Sequence, residues 1–200
     1  MDRAYIKSKS KQQLKENLVI SIITVFIASI FIDASTFKNG ITFFYDEGSS
    51  IYFDLFTLLF AGVFTAGLNK FLLKIVKNSE TPEIKDLFSY FNIYLKTLGL
   101  YITIGIIAFI GTLLFIVPGI ILLIMFSQSF FILAENPSKS IKDCIIESKE
   151  MMYGHKFEYF VLQLSFIGWY ILAVITLGIA SFWVNPYVKI TNANYYLEIK

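Results

Sequence analysis

From Leu98 to Val117 the chain runs for 20 residues without a charge, and after Pro118-Gly119 it does so again from Ile120 to Ala134. At about 1.5 Å per residue, a helix over the first run is about 30 Å long, the thickness of the hydrocarbon core of a bilayer. Pro118 removes a backbone donor and Gly119 permits a sharp reversal, so the second run reads as a helix returning against the first. It stops at Glu135-Asn136-Pro137. Composition points the same way: 56% of the residues are hydrophobic and 16% charged, whereas a soluble domain carries roughly 25% charged residues.

Four more spans follow from the same reading. Leu18–Ile32 is preceded by Arg3, Lys7, Lys9, Lys11 and Lys15; a cleaved signal peptide, cut near Ile32-Asp33-Ala34, is the alternative for this run. Ile51–Val76 is bounded at its end by Lys70, Lys74 and Lys77; Phe157–Leu177 breaks at Gly178; and a sixth span needs the helix to continue through Thr191 to Tyr196. Sixteen of the 17 Lys and Arg residues then fall on one side, Lys38 being the exception. The positive-inside rule places that side, with both termini, in the cytoplasm of a cell whose cytoplasmic membrane holds the protein. The expected fold is an all-α, polytopic membrane helix bundle of about six spans in three hairpins. Residues 1–17 form a basic amphipathic segment and residues 18–200 one membrane domain.

An internal repeat of about 57 residues relates Ala61-Gly62 to Pro118-Gly119 and Ile84-Lys85-Asp86 to Ile141-Lys142-Asp143. Its unit is a hairpin turning at a glycine, with Gly62, Pro118, Gly119 and Gly178 as the turn residues, followed by an amphipathic elbow helix. The elbow positions Ile84, Leu87, Phe88 and Phe91 match Ile141, Cys144, Ile145 and Ser148 at helical spacing.

The residues that bear chemistry are few. The spans contain no ionisable residue in their cores, which removes the usual machinery of ion-coupled transport. Ser127, Gln128, Gln163 and Ser165 are the candidates for a polar cavity, against the plainer reading of hydrogen bonds between helices. His155 sits among Glu147, Glu150 and Glu158, but the spacing matches no metal or acid–base motif, and His155 with Lys156 reads better as a contact to lipid phosphate. One cysteine, Cys144, excludes an intrachain disulfide and a thiolate zinc site. No cofactor motif is present, and a net charge of +2 without a single-sign field argues against nucleic acid. The loop from Asp33 to Asp54 is acidic and aromatic, with Tyr45, Asp46, Glu47 and Tyr52 as candidates for meeting a cationic peptide or protein outside the membrane.

The segments Leu-Phe-Ile-Val-Pro-Gly-Ile (114–120), Ala-Glu-Asn-Pro (134–137), Ser-Lys-Glu-Met-Met-Tyr-Gly-His-Lys (148–156), Leu-Ser-Phe-Ile-Gly-Trp (164–169) and Asn-Pro-Tyr (185–187) together resemble an uncharacterised family of small bacterial integral membrane proteins. More distantly, the layout is similar to the membrane domain fused to some glycerophosphodiester phosphodiesterases. The resemblance implies membrane residence and a six-helix plan, and no catalysis. The expected function is therefore non-enzymatic: an interaction, accessory or self-protection protein surrounded by membrane lipids. A binder or carrier of a lipid-like molecule is the alternative.

Overall fold

The structure, a computed structural model, describes residues 2–32 and 47–200; for 47–54, 114 and 116 it describes the backbone alone. The regular secondary structure of the described residues is helical, joined by turns and short extended stretches. α1 (Arg3–Glu16) meets α2 (Leu18–Ile32) at 98°. α3 (Glu47–Lys77) follows, then two 3₁₀ turns (Ile84–Phe88, Phe91–Ile93). After these come α4 (Tyr94–Leu114), α5 (Ile116–Met125), α6 (Ser129–Glu135), α7 (Ile141–Met151), α8 (Lys156–Leu164), α9 (Ile167–Ile175) and α10 (Ser181–Ile199).

Three antiparallel hairpins result. In the first, α2 lies on α3 and the ring of Phe31 stacks on Phe64 at 4.0 Å. In the second, α4 runs against α5 and α6, and Gly119 fits so closely that a Cβ there would sit 2.8 Å from the backbone nitrogen of Thr112. In the third, α10 runs back along α9 and α8: Phe166 meets Tyr187 edge-on at 5.4 Å, and the Tyr195 hydroxyl donates to the His155 carbonyl at 3.0 Å.

Among the described residues, four helical stretches are long and apolar enough to cross a membrane: Leu55–Lys77, Ile84–Leu113, Val117–Glu135 and Lys156–Ile175. The bent pair α1–α2 would make a fifth. The six expected spans thus reduce to four or five, for two reasons. α2 is only 15 residues long, and α10 carries Lys189, Asn192, Asn194 and Glu198 along a length that would otherwise cross.

Packing is concentrated at the charged end of the bundle. There α6 is buried over Ser129–Ala134 against α3 and α7, beside Phe71, Leu72 and Tyr196. Glu135, which ends α6, accepts from Lys77 of α3 at 2.5 Å, from the Tyr196 hydroxyl at 2.5 Å and from Lys200 at 2.6 Å. Toward the opposite end the chain is apolar and exposed: Leu113, Phe115, Val117, Ile175 and Leu177 all face outward.

The elbows differ from each other. Ser140 and Asp143 form a capping box that starts α7, and Glu83 and Asp86 form another 57 residues earlier. The earlier one opens only 3₁₀ turns where an amphipathic α-helix was expected. Asp86 is buried and held by Lys74 at 2.9 Å, and the backbone of Leu87 is pressed against Gly67, which leaves no room for the wider coil of an α-helix. At the second elbow, hydrogen bonds from Ser140 hold the Asp143 carboxyl below its usual range. The Asp143 contribution is therefore complete above the unfolded pKa and is lost as pH falls through the lower folded value. Ser140→Ala is expected to cost about 1 kcal/mol near neutral pH. The difference in thermal midpoint between wild type and Asp143→Asn should stay constant above the unfolded value of about 3.9 and shrink progressively as pH falls below it; a difference independent of pH across that range would refute the cap.

Candidate functional site

Gly62 lies inside the continuous helix α3, not at a turn: a Cβ there would fall 2.5 Å from the carbonyl oxygen of Thr97, so the glycine serves a close helix approach. Pro118 and Gly119 lie in the first turn of α5, just past the reversal at Phe115. Gly178, at φ +89°, closes α9 by donating its N–H to the Ala173 carbonyl at 2.8 Å, the left-handed stop that glycine adopts without strain.

The third hairpin begins at another left-handed residue, Gly154 (φ +82°). His155 pairs through Nδ1 with Glu158 at 3.0 Å. Lys156 opens α8 between Tyr153 and Phe157, which are 82% and 75% exposed, an arrangement suited to a membrane–water boundary. Glu147 is paired with Lys139. Among the described residues no three His, Cys, Asp or Glu side chains converge to hold a metal. Cys144 is fully buried on the inner face of α7, and burial pushes its thiol up to about 11, so at neutral pH it is a protonated core residue and a poor nucleophile.

The four cavity candidates divide into three groups. Ser127 and Gln128 stand at the break between α5 and α6. The Gln128 amide donates to Ser127 Oγ at 2.8 Å, and Ser148 of α7 accepts from Gln128 N and donates to the Met125 carbonyl, satisfying the backbone that the break frees. The Ser127 hydroxyl itself donates to the Ile124 carbonyl at 2.8 Å. Gln163, one turn beyond Tyr159, donates to Asn192 of α10 at 2.7 Å. Ser165 is separate and has a partner from a distant part of the chain. The α8–α9 helix breaks at Ser165-Phe166, and the N–H of Trp169 turns to the Phe166 carbonyl. The Ser165 carbonyl is taken instead by Lys7, whose ammonium donates to it at 3.2 Å and to the Ser165 hydroxyl at 3.0 Å while lying 4.4 Å from the centre of the Phe166 ring. A cation at a helix C-terminus and over an aromatic face is doubly favoured.

Lys7 is the residue that sequence reasoning missed. The cores of the spans lack Asp, Glu, Lys and Arg, yet α1, lying outside the Lys156–Ile175 stretch, reaches into it with Lys7. α1 is fixed by its buried stripe Ile6, Ser10 and Leu14 and by a polar clasp in which the Asn194 amide donates to Ser10 Oγ at 3.0 Å and to Gln13 Oε1 at 2.6 Å. The signal available in advance was position: Lys7, Ser10 and Leu14 share a helical face. Of the outer-loop candidates, Tyr45 and Asp46 lie outside the described residues; Glu47 and Tyr52 fall in α3, where only the backbone is described.

Against known families, the model for "Protein of unknown function (DUF975)" matches residues 1–129 and 114–200, which together run the length of the chain. The chain belongs to this family. No curated protein and no solved structure matches it. The likeness to the membrane domain of glycerophosphodiester phosphodiesterases has no counterpart among these findings. Family membership agrees with the uncharacterised family anticipated from the motifs and assigns no activity.

Proposed function

We propose that this protein is a non-enzymatic accessory protein of the cytoplasmic membrane that works by presenting a helical hairpin to a partner within the bilayer, with its charged end and both termini in the cytoplasm. The observation that carries the reading is the second hairpin. Only 11% of the apolar stretch that includes α4 is buried within the chain, against 56% for α3. α4 packs on α3 near its start, through Gly62 and Thr97, while Ile106, Phe109, Ile110 and Leu113 face outward and nothing lies within 4 Å of the place a Cβ of Gly105 would take. The groups best suited to chemistry are engaged in holding the charged end together: Glu135 with Lys77, Asp86 with Lys74, and Glu147 with Lys139. A duplicated hairpin-and-elbow unit underlies this plan, supported by the two capping boxes 57 residues apart and by the fully buried residue that follows each, Leu87 and Cys144. The outer loop is a second place for a partner.

A lipid-like ligand is the alternative reading, favoured by one observation. Gln128 Oε1 and Ser129 Oγ are buried without a hydrogen-bond partner among the described residues at the α5–α6 break, where such groups cost free energy unless something satisfies them. Native mass spectrometry of the protein released from its own membrane, with stepwise collisional stripping, separates the two. The expected result is a chain that retains nothing but exchangeable membrane phospholipid, or that retains a protein partner. A small molecule other than membrane phospholipid, held at fixed stoichiometry after bulk lipid has gone, would overturn the accessory reading in favour of the ligand-binding one.

A further inference from the structure

Arg3, Lys7, Lys11 and Lys15 recur every four residues along α1 and so form one ridge of that helix. Like charges at this spacing disfavour a helix standing alone, and among the described residues none of the four has a carboxylate within 4 Å, although Lys70, Lys74, Lys77, Lys85, Lys139 and Lys200 all do. The cations of α3 are thus neutralised, and although single cations elsewhere, such as Lys142 and Lys149 on α7, also lack an ion pair among the described residues, α1 gathers four such cations in one row. The ridge is also held in place. The stripe Ile6, Ser10 and Leu14 and the Asn194 clasp fix the rotation of α1, the Tyr187 hydroxyl donates to the Lys7 carbonyl at 3.3 Å, and two of the three donors of Lys7 are spent on Ser165, leaving one free. Exposed apolar side chains lie elsewhere on α1, on the following α2 and at the start of α9: Tyr5 is 57% exposed, Val19 69% and Trp169 41%.

We infer that this ridge is a docking surface for the phosphate groups of anionic phospholipids, seated at the corner where α1 crosses the third hairpin. Four cations spaced about 6 Å apart along the helix match a row of lipid phosphates. Exposed Tyr5 on α1 and exposed apolar side chains on α2 and α9 set this corner at the boundary between headgroups and acyl chains, where a soluble polyanion would meet apolar surface. A cation pinned to a break in an apolar helix draws headgroups and water toward itself, so the lipid bound at Lys7 differs from the bulk leaflet in depth as well as in charge.

The test is native mass spectrometry of the full-length protein in detergent, titrated separately with short-chain phosphatidylglycerol and phosphatidylcholine. Wild type should retain phosphatidylglycerol at least tenfold more tightly, and the triple variant Arg3→Gln/Lys7→Met/Lys11→Gln should lose that preference. Lys142→Gln/Lys149→Gln, which removes as exposed a pair of charges from α7, should keep it, and Lys7→Arg should keep it too. Equal retention of the two lipids by wild type, an unchanged preference in the triple variant, or an equal loss in the α7 variant would each overturn the proposal. Should the triple variant fail to fold, titration of wild type in 0.5 M salt decides: screening should abolish the preference, and a preference unaffected by salt overturns it.

Discussion

Glu135→Ala should lower the thermal midpoint of the protein in detergent by roughly 10 °C. Glu135 ties α3, α6 and α10 together, with Lys77, Lys200 and Tyr196 all directed at a carboxylate that is 21% exposed. Removing it frees two ammonium groups that still reach water, which limits that part of the loss. It also strands the hydroxyl of Tyr196, a fully buried residue, and an unsatisfied buried hydroxyl costs about 1–3 kcal/mol. Together with the lost ion pairs the expected total is about 3 kcal/mol, and for a chain of this size each kcal/mol moves the midpoint by about 2–4 °C. Lys77→Met should cost clearly less, and the double variant Lys77→Met/Glu135→Ala should cost less than the sum of the singles, because the pair acts as a unit. Strict additivity, or a shift below about 2 °C for Glu135→Ala, would show that the hub does not hold the helices.

The second large effect is expected from one methyl group. A Cβ on Gly67 would lie 2.3 Å from the carbonyl oxygen of Leu87 and 2.6 Å from its Cα. Both are backbone atoms of a segment already pinned by Asp86, Lys74 and the Glu83 capping box, so nothing nearby can yield by rotating a side chain. Alanine favours a helix by about 1 kcal/mol over glycine, and the clash outweighs this; the net loss for Gly67→Ala is expected at about 2–3 kcal/mol, within the range for overpacking. Gly105→Ala is the matched control, since nothing lies within 4 Å of its Cβ position, and there the helix preference should act alone and raise the midpoint slightly. Finding the two variants equal would mean that the elbow is not seated on α3.

The same pair of glycines shows how much could be read in advance. The hairpin of α4 with α5 and α6 was legible because 20 uncharged residues, a Pro-Gly and 15 more uncharged residues have few other uses. Gly62 was misplaced because a glycine inside an apolar run signals either a turn or a close approach of two helices, and only the partner, Thr97, decides between them. The first elbow was expected as an α-helix because Ile84, Leu87, Phe88 and Phe91 have helical spacing; a buried ion pair with Lys74, which pattern alone does not register, sets the tighter coil. The cavity candidates were chosen as polar residues on apolar runs, and the structure distributes them over three separate hydrogen-bonded groups. Lys7 escaped notice because its role depends on α1 lying across a helix 158 residues away.

The clasp between α1 and α10 also fixes an order of events during synthesis. Ser10 and its partner Asn194 are separated by 184 residues, so α1 leaves the ribosome long before its seat exists. Until the third hairpin has been made and inserted, Lys7 has no Ser165 to cap and Ser10 and Gln13 have no Asn194. Throughout that interval the basic segment of α1 waits without its seat, and the last turns of α10 complete the fold of α1.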